Sequence, residues 1–145
     1  MKLLLQRVRH AKVDVADETV GEIAQGLLAF IGLEKHDDEA AVEKMMERLL
    51  NYRVFADEQG RMNLSVVDIN GGVLLVSQFT LAADTSKGRR PGFSTAAEPT
   101  RAKNLYVHAL ACLREQHADV AAGKFGADMQ ISLLNDGPVT FLLES

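Results

Sequence analysis

At 145 residues the chain has the length of one domain, which excludes two independently folded catalytic units. Its residues are 47% hydrophobic, enough for a core that buries roughly two-thirds of the unfolded surface, so neither disorder nor dependence on disulfide or metal staples is expected. Sixteen Lys and Arg against twenty Asp and Glu give a formal charge of -4, so any nucleic-acid contact must be a local patch rather than a general basic coat.

The N-terminal stretch sets Leu3, Leu5, Val8, Val13 and Val15 among polar residues in broken alternation, which predicts a long first strand over 2–15 with a phase slip near Arg9 to Ala11. A short strand over 19–23 follows. LLAFIGL (27–33) is a continuous apolar run, as expected of a strand covered on both faces. Asp37 and Asp38 offer capping oxygens, and Val42, Met45, Met46, Leu49 and Leu50 then repeat at helical spacing. Turn residues in 57–61 and 70–72 flank a short polar-apolar stretch, and VLLVSQFTL (73–81) predicts a second buried strand. Pro99 suits a first helical turn, and Ala102, Leu105, Tyr106, Ala109, Cys112 and Leu113 extend a second helix to about 117. The tail reads as two strand-like runs, MQISLLN and VTFLLES, broken at Gly137-Pro138. These elements predict a single α/β domain over 1–145. Its sheets are mixed, with two helices packed on one side in β/β/α layers, and the order does not alternate as a doubly wound fold requires.

The opening MKLLLQRVRH holds three leucines before Gln6 and Arg7, too short for a signal-peptide core, and no run approaches a membrane span. A cytoplasmic protein without membrane or DNA partners is expected. Cys112 is the single cysteine, and its place on an apolar helical stripe suits a structural thiol, although His108 one turn earlier permits a Cys-His pair. The four histidines show no HxxxH or HxH spacing, so neither a metal nor another cofactor is expected.

Ser77, Gln78 and Thr80 stand at the end of a buried strand, where hydroxyls and backbone N–H groups face ligands but equally cap strand ends. There is no GxSxG elbow around Ser77. The loop SKGRRPGF (86–93) concentrates Lys87, Arg89 and Arg90. From 86 to 103 five cations stand against Glu98 alone, a net of +4 that suits RNA phosphates or an ordinary solvated loop. A second basic cluster, Lys2, Arg7, Arg9 and Lys12, would join this patch if the first strand neighboured the 73–81 strand.

SQFTL at 77–81 together with NDGPVT at 135–140, in a chain of this length opening MKLLLQRV, resembles the D-aminoacyl-tRNA deacylase family, as do KGRRP and NYRVF (51–55). The resemblance implies hydrolysis of the ester of D-aminoacyl-tRNAs, and of glycine mischarged on alanine tRNA, by a homodimer. It implies that Ser77, Gln78, Phe79 and Thr80 line the catalytic site of one subunit. Gly137, Pro138, Val139 and Thr140 of the other would form the chiral gate, with a cis Gly-Pro bond excluding L substrates, and Arg7 would orient that gate. Lys87, Arg89 and Arg90 would contact the tRNA. Thr140 has served as a proposed nucleophile in this family. A threonine without a neighbouring base is a poor one, and a water assisted by the tRNA 2'-OH, with N–H groups near Phe79 holding the oxyanion, fits this chain better. Two other readings stand beside it: a non-catalytic RNA-binding module, and a hydrolase with Ser77 or Cys112 as nucleophile.

Overall fold

The computed structural model describes all 145 residues, which form eight strands and two helices. In chain order these are β1 (Lys2–Val15), β2 (Glu18–Ile23), β3 (Gly26–Gly32), α1 (Glu39–Asn51), β4 (Phe55–Ala56), β5 (Met62–Leu64) and β6 (Gly72–Ser77). A short 3-10 turn (Phe79–Ala82), α2 (Pro99–Gln116), β7 (Val120–Ala122) and β8 (Gln130–Glu144) complete the chain. β1 is the hub. One edge pairs antiparallel with β3 over residues 2–8 and with β2 over 11–15, while β8 runs antiparallel along the other over 2–14. β6 adds parallel to β3, and β7 parallel to β6, so the sheet is mixed. β4 and β5 make a separate two-stranded ribbon.

The large sheet curls, bringing β2 back against β7. They approach so closely that a Cβ on Gly21 would lie 2.5 Å from the Ala122 carbonyl oxygen, and only glycine fits there. This curl explains the continuous apolar runs. Leu27, Ala29, Ile31, Val73 and Leu75 face the helices, and Leu28, Leu74 and Val76 point into a second core on the other face. The second core also takes Val8, Ala11 and Val13, whereas Leu3 and Leu5 of the same strand join the helical side. The phase slip thus passes β1 from one core to the other, by irregularities opposite β8 between Gln6 and Val8 and between Val8 and His10.

Both helices cover one face, as their patterns predict. Asp38 caps α1, its carboxylate accepting from the Ala41 N–H at 2.8 Å, and Val42, Met45, Met46, Leu49 and Leu50 are buried. Asp37 does different work: it accepts from the Met1 amino group and the Glu34 N–H, while the Arg101 guanidinium of α2 donates to its carbonyl at 2.6 Å. No helix is long and apolar enough to cross a membrane.

Two sequence expectations need correction. The strand from 73 ends at Ser77, because the Gln78 N–H still bonds the Ile31 carbonyl at 2.8 Å but the chain then winds into the 3-10 turn. The two tail runs form the one strand β8, since its long partner β1 spans both sides of an insertion at Gly137-Pro138.

α2 is moored to the sheet by Tyr106, whose buried hydroxyl donates to the Leu75 carbonyl at 2.8 Å and lies 3.2 Å from that of Gly123. Burial pushes this phenol up to about 12, so it remains a neutral donor. Tyr106→Phe is expected to lower stability by about 1 kcal/mol in urea denaturation. An unchanged midpoint would show that the hydroxyl contributes nothing.

Candidate active site

The end of β6 opens into an apolar pocket of about 480 Å³. Ser77, Gln78 and Phe79 form one wall, with Ile31 and Leu33 from β3 and its exit. Ala96 and Ala97 come from the approach to α2 and Pro99 and Ala102 from its first turn, with Phe125, Gly126, Ala127 and Met129 from the segment leading into β8 and Ile131 from β8 itself. Tyr106 packs on Phe125 at 5.7 Å between ring centroids, so the residue that moors α2 also braces this wall. The Gln78 side-chain amide donates to the Thr80 hydroxyl, which fixes the side chain beside the opening; Thr80 itself does not line the pocket. None of the fourteen lining residues is Asp, Glu, Lys, Arg, His, Cys or Tyr. The pocket therefore supplies no side-chain base, and the only lining hydroxyl is that of Ser77.

Phe79 is 60% exposed and its ring lies 5.1 Å from that of Phe93, at the end of the basic loop. Asp84 and Gly92 pair reciprocally, their backbone bonds 2.8 and 2.9 Å, and close the loop at its base. Hydrogen bonds from Ser86 hold the Asp84 carboxyl below the usual range. Lys87, Arg89 and Arg90 are exposed and make no ion pair. Of the second basic cluster only Lys2 comes near this loop, sharing a hollow with Asp84, Thr85 and Ser86 at its base. β3 separates β1 from β6, and Lys2, Arg7, Arg9 and Lys12 each pair with an acid, Glu144, Asp136, Asp136 and Asp14 respectively.

Gly137, Pro138, Val139 and Thr140 lie elsewhere on this subunit, and none of them lines the pocket. Between Asn135, opposite Val8, and Thr140, opposite Gln6, β8 inserts four residues where β1 has Arg7 alone. The result is a wide bulge. The Gly137–Pro138 bond is cis, and both residues are exposed. Arg7 braces the bulge: its Nε donates to the Asp136 carbonyl at 3.0 Å and one terminal nitrogen to the Val54 carbonyl at 2.6 Å. Val54 belongs to the NYRVF stretch, which thus acts as a strut behind the arginine. Asn135 closes the neck, its amide donating to the carbonyls of Arg7 at 3.2 Å and Val139 at 3.1 Å. Sequence reasoning assigned no role to Asn135, Asp136 or Val54; their positions beside Gly-Pro and inside NYRVF were the only signals. It also missed the wall from Phe125 to Ile131, whose sequence carries no periodicity.

The cysteine is buried in α2, burial pushes its thiol up, and it does not line the pocket. His108 reaches it from one turn away, the pair that the spacing permits, and also contacts Glu43 of α1, a third ligand type that the sequence did not foretell. His117 lies 2.7 Å from the Gly71 carbonyl and does not line the pocket.

The site is thus an apolar pocket at strand ends, beside an exposed cationic loop and without an ionisable wall. The model of the family described as D-Tyr-tRNA(Tyr) deacylase matches residues 4–144. The chain is 63% identical over 145 residues to the D-aminoacyl-tRNA deacylase of Stutzerimonas stutzeri, all of each chain being covered. It is 60% identical over 144 residues to that of Alcanivorax borkumensis, 99% of each being covered. Among solved structures, one described as c-Myc DNA Unwinding Element Binding Protein superposes with a TM-score of 0.95 at 40% identity, covering 100% of this chain and 99% of the other. A probable eukaryotic D-amino acid tRNA deacylase shares the fold, with a TM-score of 0.84 at 17% identity over 98% of this chain and 97% of the other. The chain belongs to the D-Tyr-tRNA(Tyr) deacylase family, and it is a hydrolase.

Proposed function

We propose that the pocket receives the aminoacyl end of D-aminoacyl-tRNAs and hydrolyses the ester, with Gly137-Pro138 of a partner subunit entering the pocket as the chiral gate. The observation that carries this reading is a separation. The pocket beside Phe79 has no ionisable side chain on its wall, and the braced bulge, with Gly137 and Pro138 exposed, lies outside its lining. A second copy joins the two. Exposed Leu134, Phe141 and Leu142 flank the bulge on β8, on both faces of the strand, and leave apolar side chains open to that copy.

The carbonyls of Gly137 and Pro138 then occupy the space that an L substrate requires, so discrimination needs no contact with the D side chain. Glycyl ester lacks a side chain and passes, which extends the substrates to glycine mischarged on alanine tRNA. Lys87, Arg89 and Arg90 lie where the tRNA backbone approaches, next to Phe79 through the Phe93 contact. With no side-chain base on the pocket wall, attack by water is assisted by the ribose 2'-OH of the substrate. Backbone N–H groups at the start of the 3-10 turn, which have no partner within that turn, hold the developing oxyanion. Ser77 and Gln78 position the substrate, and Thr80 acts only through Gln78, whose amide its hydroxyl accepts.

Purified protein given matched D-tyrosyl-, L-tyrosyl- and glycyl-tRNA, with and without EDTA, is expected to hydrolyse the first and third and spare the second. Binding of tRNA without turnover of any ester would replace this reading with an RNA-binding module. Thr80→Ala and Thr140→Ala are each expected to keep activity within roughly tenfold, since neither hydroxyl lines the pocket and neither reacts. Complete loss in either, with fold and tRNA binding intact, would restore a protein nucleophile.

A further inference from the structure

α1 and α2 pack side by side on the helical face of the sheet, and their outer seam carries a cluster that the deacylase reading leaves unused. His108 and Cys112 lie one turn apart on α2 and so share a face. Glu43 of α1 meets them there. The Cys112 Sγ lies 3.6 Å from the His108 Nε2, and that nitrogen lies 3.0 Å from the Glu43 Oε1. All three ligand atoms fall within 4.8 Å of one another.

We propose that Glu43, His108 and Cys112 form a binding site for a divalent cation of the Zn²⁺ class, clasping α1 to α2 apart from the catalytic pocket. The argument begins with distance. A tetrahedral zinc bound at its usual lengths holds sulfur and nitrogen ligands about 3.5 Å apart and nitrogen and oxygen ligands about 3.3 Å apart. The separations here, 3.6 and 3.0 Å, are close to both, so the cation enters with small side-chain movements. Glu43 can make them, because its side chain is 58% exposed and pairs with nothing but His108 among charged groups.

The donor set narrows the ion. One thiolate, one imidazole and one carboxylate are ligands zinc accepts with a fourth position left to water, and the sulfur disfavours Mg²⁺ and Ca²⁺. The surroundings favour a cation as well. Glu43, Glu115 and Glu39 all act on Cys112 in the sense that opposes a thiolate, after burial, so the seam carries negative potential that a bound cation would neutralise. On binding, the S–H bond of Cys112 breaks, a sulfur–metal bond forms and the proton leaves to solvent; the two positive charges then meet one thiolate and one carboxylate. None of the three residues lines the pocket, so the site acts on the helix pair and not on the ester.

Cobalt(II) titrated anaerobically into the reduced, full-length protein reads this directly. The expected result is one ion per chain, with a thiolate-to-cobalt charge-transfer band that Zn²⁺ displaces. Cys112→Ser is expected to remove the band, and Glu43→Gln and His108→Ala each to weaken affinity roughly tenfold or more. At one sub-saturating concentration Zn²⁺ is further expected to raise the Tm of the wild type by more than that of His108→Ala. Glu43→Gln changes an exposed side chain and keeps its shape, so its folding is secure and the test stands even if Cys112→Ser misfolds. Absence of the band at saturating cobalt, an undiminished band in folded Cys112→Ser, or an affinity unmoved by Glu43→Gln would each overturn the site.

Discussion

Gly137→Ala is expected to reduce hydrolysis of D-tyrosyl-tRNA by roughly a hundredfold or more while the protein stays folded, the size of loss that a displacement of about 1 Å at a catalytic site produces. Gly137 has φ of +137°, a region L side chains rarely adopt. A Cβ built there would stand 2.7 Å from the Val139 Cγ2 and 3.0 Å from both the Arg7 Nη2 and the Val139 backbone nitrogen. Arg7 cannot yield freely, because it is bound to the carbonyls of Asp136 and Val54. The bulge must move instead, and it carries the carbonyls that would meet the substrate. Because Gly137 is exposed, the cost to stability is expected near 1–3 kcal/mol, within reach of a folded protein. Single-turnover kinetics beside thermal denaturation separate the two effects. Near-normal hydrolysis by a folded Gly137→Ala protein would remove the bulge from the active site.

Ala127→Trp is expected to cost as much by a different route. Ala127 is half-buried on the wall between β7 and β8, where an indole would fill much of the 480 Å³ pocket. The aminoacyl group would lose its place, with a fall in hydrolysis of roughly a hundredfold or more. tRNA affinity is expected to persist, because the exposed cations Lys87, Arg89 and Arg90 are untouched and contacts to phosphate carry most of the binding. A filter-binding assay beside the ester assay checks both parts. Loss of binding together with hydrolysis, or retention of both, would show that the pocket is not where the ester sits.

The helices and the two buried strands were legible because their signals are local. Val42 to Leu50 repeat on one helical face, and runs such as LLAFIGL have no polar side to expose. That β1 slips phase was legible as well, but the place expected, Arg9 to Ala11, is later than the shifts between Gln6 and His10, which the insertion in β8 sets. What stayed hidden depends on partners distant in sequence. Gly137-Pro138 reads as a turn, and only a fourteen-residue β1 running past both sides of it makes one strand of the tail. The brace from Arg7 to Val54 joins residues 47 apart, and Glu43 meets His108 across 65. β7 and the β4–β5 ribbon are strands of two or three residues, below the length at which alternation is visible. Ser77, Gln78 and Thr80 were singled out at a strand end and Phe79 by resemblance; all but Thr80 line the pocket, whereas the opposing wall of Phe125, Ala127 and Met129 has no pattern of its own.

The most direct test of a gate supplied across the subunit interface is complementation between the two impaired variants. Gly137→Ala and Ala127→Trp chains, differently tagged, are allowed to exchange subunits, and exchange is verified by pull-down before activity is measured. A mixed dimer contains one site with both lesions and one with neither, so random mixing is expected to restore about one quarter of the wild-type active sites. D-tyrosyl-tRNA hydrolysis would then rise well above that of either variant alone. If mixed dimers form and activity stays at the level of the separate variants, the bulge and the pocket do not meet across subunits, and the account of the chiral gate is wrong.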